Sequence, residues 1–281
     1  MRTEAASATG APSFPVPASG SHTPALTRRA SLNALQALLD YGAKLIVTFV
    51  VTPILVAGLG RSLYGVWEML ARLIGYMSAS DARPMEALRL VIATRQGLKD
   101  PAGHRRAVGS ALIVWTFFFP LVVAVGVLLV WLAPIVTKVT AELRPTVRVA
   151  AVLLVGTFLI TGLATVPESV LRGMNLGYKR MGLQAGLSVV GGALTVGAIY
   201  LGLGLIGVAG VQVVLSALTG LMFWYVAKRY VSWFGIARPT VTEIRSFFGL
   251  SIWNYAGTLV THWLALSRGK LGHARVGGRA R

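Results

Sequence analysis

Two pairs of opposite charges interrupt a stretch that otherwise suits hydrocarbon. Between Leu32 and Ser80, Asp40 is followed four residues later by Lys44, and Glu68 four residues later by Arg72. On an α-helix that spacing sets both members of a pair on one face, within reach of each other. Ionisable groups at membrane depth are costly and turn toward a protein interior or a watery cavity. The chemistry they offer is binding: a guanidinium or ammonium attracts anions strongly where the dielectric is low. The carboxylates would hold the bases in place, exchange protons or take a cation. Arg72, near the centre of its apolar run, is the strongest candidate, with a buried structural pair to Glu68 as the plain alternative. Lys44 lies mid-membrane if its helix enters the hydrocarbon at Leu32, and reaches the headgroups if it enters at Gly42. The stretch reads as one wall of a polar cavity.

Other chemistries lack their residues. There is no cysteine, which excludes disulfides, thiolate ligands and cysteine nucleophiles. The four histidines, His22, His104, His262 and His273, have no metal-ligand spacing, and no pair of acids is placed for hydrolysis. No GxxxxGK(S/T) loop is present to cradle a nucleotide phosphate. His262, beside Trp263 and near Asn254, is a candidate to carry a proton or meet a ligand, although a lone histidine at a helix end is more often structural. Neither an enzyme activity nor a cofactor is expected.

The elements that must position the charged pairs are membrane helices. Of 281 residues, 55% are hydrophobic and only 13% charged, with a mean hydropathy of +0.69. Soluble domains carry about 25% charged residues. The formal net charge of +18 gathers between apolar runs, without the aromatic interleaving of a nucleic-acid surface, so no nucleic-acid partner is expected. Residues 1–31, rich in Ser, Thr, Ala and Pro, read as a disordered tail. Seven spans follow, over about 32–59, 63–80, 108–132, 147–166, 183–203, 205–226 and 247–266. Pro53 bends the first, and Gly60-Arg61-Ser62 turns into the second. Residues 81–107 mix charges with apolar groups and read as an amphipathic segment along the membrane face. The aromatic run Trp115 to Phe119 suits lipid contact or packing. Gly186, Gly191 and Gly192 let helices approach closely. The fold class is all-α, a polytopic transmembrane helix bundle of about seven spans.

Loop charges orient it. The N-terminal tail and the loops after the second, fourth and sixth spans hold three, six, three and four Lys or Arg; those after the first, third and fifth hold one, three and none. The positive-inside rule puts the N-terminus in the cytoplasm and makes the first six spans three hairpins across the cell membrane. Five bases within 267–281 fall on the opposite face and match no other loop. The expectation is a premature end, by truncation or a frame shift, with this tail foreign to the fold. The chain thus divides into the tail at 1–31, six helices at 32–228, a loop and seventh span at 229–266, and the basic tail at 267–281.

Three stretches carry a family resemblance: Pro53-Ile54-Leu55 to Gly60-Arg61-Ser62-Leu63-Tyr64-Gly65-Val66-Trp67; Ser80-Asp81-Ala82-Arg83 with its amphipathic sequel; and Val170-Leu171-Arg172-Gly173-Met174-Asn175 through Gly202-Leu203-Gly204-Leu205-Ile206-Gly207-Val208-Ala209. In their order and hairpin spacing the chain resembles the polysaccharide or O-antigen flippases of the multidrug, oligosaccharidyl-lipid and polysaccharide exporter superfamily. The resemblance covers roughly residues 30 to 260. It implies two pseudo-symmetric helical lobes that move a lipid diphosphate-linked oligosaccharide across the membrane by alternating access. This chain would supply one six-helix lobe and the start of a second, so a second lobe or another chain would have to close the path. Arg72 and Lys44 would then meet the diphosphate, with Glu68 and Asp40 steadying them. Arg61, Arg83 and Arg172, near span ends, would serve as gate or headgroup contacts. A cation-coupled multidrug exporter and a non-functional remnant are the competing readings, and a membrane glycosyl- or acyltransferase a weaker one.

Overall fold

The computed structural model describes residues 24–77, 84–96 and 100–253, and among them every regular element is helical. In chain order these are α1 (Pro24–Tyr76), α2 (Pro84–Arg95), α3 (Pro101–Val136), a 3₁₀ turn (Ala141–Leu143), α4 (Arg144–Gly173), α5 (Gly177–Tyr200) and α6 (Gly204–Tyr230). A further helix, α7, occupies 241–253 of the described residues. Hydrocarbon offers no hydrogen-bond partners, so an apolar run of this length pairs its backbone within its own helix. Five helices, α1, α3, α4, α5 and α6, are long and apolar enough to cross a membrane. The all-α transmembrane bundle expected from the apolar runs is the fold observed.

The first helix is two arms of a hairpin. Gly60 has φ 77° and ψ 159°, a region essentially closed to residues with a Cβ. In the first arm, Val47 and Val51 meet α5 at Gly192, and Gly58 meets Ile199 further along α5. In the second, Val66 and Leu70 pack with Ala133 and Val147, whereas Met77 has returned to Gly126 and Val155. Both arms therefore run away from Gly60 in the same direction, giving six crossing segments. The expected three-residue turn is a break at Gly60 alone, because one residue of this conformation suffices to reverse the chain and Arg61 is helical again. The helix is also already formed at Pro24, ahead of the expected start at Leu32. Proline's fixed φ suits a first helical turn.

Two apolar cores clamp the bundle at its ends. At the Gly60 end, Leu59, Val66 and Leu70 pack with Val147, Ala151, Leu205 and Val208. At the other, Met85, Leu88 and Ile92 of α2 pack with Val108, Val170, Leu171 and Val226. Where such side chains leave lipid and not water, close packing rather than hydrophobic transfer supplies the stabilisation. The segment expected to lie along the membrane face is thus folded into the protein. Its charges stay outside, where Glu86 and Arg89 pair at 2.7 Å. Gly173 permits this: a Cβ there would stand 2.9 Å from the Arg89 carbonyl oxygen.

Packing also extends α4 beyond its expected end at Val166. Pro167 removes one backbone hydrogen bond. Val170 and Leu171, fully buried against α2, offset that loss. The aromatic run on α3 is packing: Phe118 stacks on Phe248 of α7 with centroids 5.7 Å apart, and Trp115 lies against Phe119 and Gly162.

Nothing lies within 4 Å of a Cβ built on Gly60, so a substitution there meets conformational strain alone. Gly60→Ala should destabilise the bundle by about 1–3 kcal/mol, read as a lowered unfolding midpoint in detergent. An unchanged midpoint would mean that the hairpin does not need this backbone conformation.

Candidate functional site

Between the two cores the bundle has a polar waist. No residue of α4 is buried between Leu154 and Ala164, and none of α6 between Ala209 and Phe223. Spacings of three and four residues keep Thr157, Thr161, Thr165 and Glu168 on one face of α4, and Gln212, Ser216 and Thr219 on one face of α6. Together with Ala164, Leu215 and Phe223 they line a chamber of about 250 Å³.

The hydroxyl groups settle the chamber's polarity. Thr157 donates to the Leu153 carbonyl at 3.0 Å, Thr165 to Thr161 at 2.7 Å, Thr219 to Leu215 at 2.7 Å and Ser216 to Val213 at 2.8 Å. Each of these four hydroxyls spends its only donor on its own helix and keeps its lone pairs as acceptors, while Gln212 brings an amide that can both donate and accept. Glu168 adds a carboxylate, the one charged group among the described lining residues, and Arg172, one turn further along α4, pairs with it at 3.6 Å. An acceptor-rich chamber of this kind suits a cation or a ligand rich in hydroxyl or ammonium donors. Among the described residues no group of three His, Asp or Glu side chains is placed to hold a metal ion.

The residues singled out by charge and spacing fall elsewhere. Lys44 donates to Asp40 at 2.8 Å, with the lysine 47% and the aspartate 16% exposed; the second carboxylate oxygen of Asp40 is buried without a hydrogen-bond partner. Glu68 and Arg72 do not repeat this pairing. Tyr64, one turn before Glu68, donates its hydroxyl to that carboxylate at 3.1 Å. Arg72 is exposed, on the face of the second arm opposite the buried Leu70. The buried ion pair considered for Arg72 is therefore corrected: a nearer phenol takes the acid, and the base points away from the core. No hydrogen bond or ion pair joins the Asp40–Lys44 pair to the Glu68–Tyr64 pair among the described residues. Arg61 is exposed beside the Gly60 turn, and Arg172 is exposed and tied to the chamber through Glu168. Arg83, Asn254, His262 and the basic segment 267–281 lie outside the described residues.

The chamber residues were missed because hydropathy and charge average over a span, whereas a chamber is made by one face. The available signal was the ladder of threonines at i, i+4 and i+8 ending in Glu168. A second missed signal is the Thr-x-x-Glu pattern at Thr240 and Glu243, a reciprocal helix cap. The Thr240 amide and hydroxyl donate to Glu243 at 2.9 and 3.0 Å, and Arg106 of α3 donates to the same carboxylate at 2.9 Å. This cap fastens the segment between α6 and α7 onto the start of α3. Arg105 donates to the Trp233 carbonyl at 2.8 Å, Ala237 donates to the Arg105 carbonyl at 3.2 Å, and the buried His104 ring lies 4.6 Å from Trp233.

No protein-family model matches the chain, and no curated protein sequence matches it significantly. Among solved structures the chain is similar to a crystal structure of MATE in complex with MaD3S, with a TM-score of 0.62 at 16% identity. The likeness covers 83% of this chain and 53% of that one, so the chain spans about half the length of that structure. The likeness is one of fold: over the part covered, the two chains share a helical bundle architecture.

The Thr240 amide, the Arg106 guanidinium and the Thr240 hydroxyl together hold the Glu243 carboxyl below its ordinary value of 4.5, against the opposing effect of burial. The unfolded strap therefore binds this proton more readily than the folded one. Strap stability should be complete above about pH 4.5 and decline as pH falls through the lowered folded value. Hydrogen-exchange protection factors of residues 233–243, taken relative to the intrinsic exchange rate at each pH, should fall on acidification, and Glu243→Gln should abolish that dependence while lowering protection at neutral pH. Protection insensitive to both would sink the cap's role.

Proposed function

We propose that this chain forms one lobe of a membrane transporter that moves a lipid diphosphate-linked oligosaccharide across the cell membrane in polysaccharide biosynthesis. The observation that carries the transport reading is the polar chamber inside a fold similar to that of a MATE crystal structure: a bundle held at both ends with a polar-lined chamber between them has the parts that alternating access requires. A second lobe or chain would complete the path.

The substrate reading rests on the bases. An arginine facing hydrocarbon is costly, so the exposed Arg72 favours a polar neighbour on that face. A diphosphate approaching it would also compete with Asp40 for Lys44. The second reading, a cation-coupled multidrug exporter, draws support from the acceptor-lined chamber and Glu168.

Proteoliposomes holding several copies of the chain per vesicle, so that a second copy can close the path, separate the two. A fluorescent lipid diphosphate-linked oligosaccharide should become protected from an impermeant quencher. Arg72→Ala should slow that protection at least about tenfold, the scale of one lost hydrogen bond to a charged group, with membrane insertion unchanged. Uptake of a cationic dye driven by an ion gradient, with no movement of the lipid, would favour the exporter. Movement of neither would remove transport by this chain alone.

A further inference from the structure

On the opposite side of the α4–α6 seam from the polar chamber runs an apolar groove. Ile160, Leu163 and Pro167 form one wall, and Leu221 and Trp224 the other, around a cavity of about 520 Å³. It adjoins a second cavity of about 360 Å³ that shares Leu163, Pro167 and Trp224 and is also lined by Lys228 and by Phe234 and Ile236 of the segment between α6 and α7. Among the described residues Lys228 is the only charged one lining either cavity, and its ammonium lies 4.5 Å from the centre of the Trp224 ring.

Geometry and charge single out one occupant. From Ala217 to Lys228 the groove follows α6 for about 16 Å at 1.5 Å per residue. That matches the ~15 Å of hydrocarbon in one leaflet, half of a ~30 Å core. Trp224, Tyr225, Lys228, Arg229 and Tyr230, at the end of α6, have the composition of a membrane–water interface. A lipid hanging from that interface would lay one acyl chain along the groove and set its headgroup beside the lysine. We propose that the groove is a binding site for an anionic glycerophospholipid, with its phosphate on Lys228 and an acyl chain between α4 and α6. Pro167, in the groove wall, cannot donate to the Leu163 carbonyl, so that carbonyl lacks its usual helical donor beside the site.

This inference is independent of what is transported. The full chain, purified in detergent, is titrated by native mass spectrometry with phosphatidylglycerol, phosphatidylcholine and a polyprenyl phosphate. Phosphatidylglycerol should bind preferentially. Lys228→Gln should weaken it about fivefold, the scale of one basic group at an anionic surface, and leave phosphatidylcholine unchanged. Leu221→Trp, on the exposed rim, should fill the groove and weaken both glycerophospholipids. Equal binding of the two glycerophospholipids, an unaltered preference in Lys228→Gln, or binding of the polyprenyl phosphate that is tighter than that of phosphatidylglycerol and is lost in Lys228→Gln would each overturn the assignment.

Discussion

The contact of Ala164 with Gly220 decides what the rest of the lobe can do. A Cβ on Gly220 would stand 3.0 Å from the Ala164 Cβ, so the seam between α4 and α6 closes only because both residues are small. Between helices in lipid there is little hydrophobic drive, and close approach of small residues supplies the packing instead. With the helices fixed at this point, one side of the seam collects Thr157, Thr161, Thr165, Glu168 and the polar face of α6, and the other collects Leu163, Pro167, Leu221 and Trp224. One narrow contact thus divides a polar interior from a lipid-facing groove.

The cores at either end make the waist tolerable. Polar groups removed from water are expensive unless they are hydrogen-bonded. The chamber meets this by returning hydroxyl donors to backbone carbonyls and by pairing Glu168 with Arg172. The α2 plug and the strap capped by Glu243 then secure the end at which the chamber's acid lies. Buried ends and a middle without buried residues on α4 and α6 fit the alternating access proposed above.

Much of the architecture was legible because membrane helices announce themselves as long apolar runs. Six of the seven expected spans have their described counterparts in the two arms of α1 and in α3 to α6, and Gly202 and Gly204, both at positive φ, mark the tight turn into α6. Boundaries were harder, since tertiary contacts set them: α4 passes through Pro167 because α2 waits beyond it, a partner that no local pattern reveals. The charged pairs show the same limit. A four-residue spacing allowed Glu68 to reach Arg72 but equally allowed Tyr64 to reach Glu68, and the competition is settled in three dimensions. The polar chamber was hidden for another reason. Its threonines, serine and glutamine carry no charge, and only their shared helical face, not their number, distinguishes them from ordinary residues of a span.

The polar lining of the waist and the apolar lining of the groove require water in the first and not in the second. A chain without cysteine allows a direct measurement: Thr161→Cys and Leu221→Cys, each the sole thiol in membrane-embedded protein, are compared for reaction with a charged thiol reagent. Reaction needs water and thiolate, so the cysteine at 161 should react at least about tenfold faster than that at 221. Equal, slow reaction at both positions would contradict a polar cavity between α4 and α6.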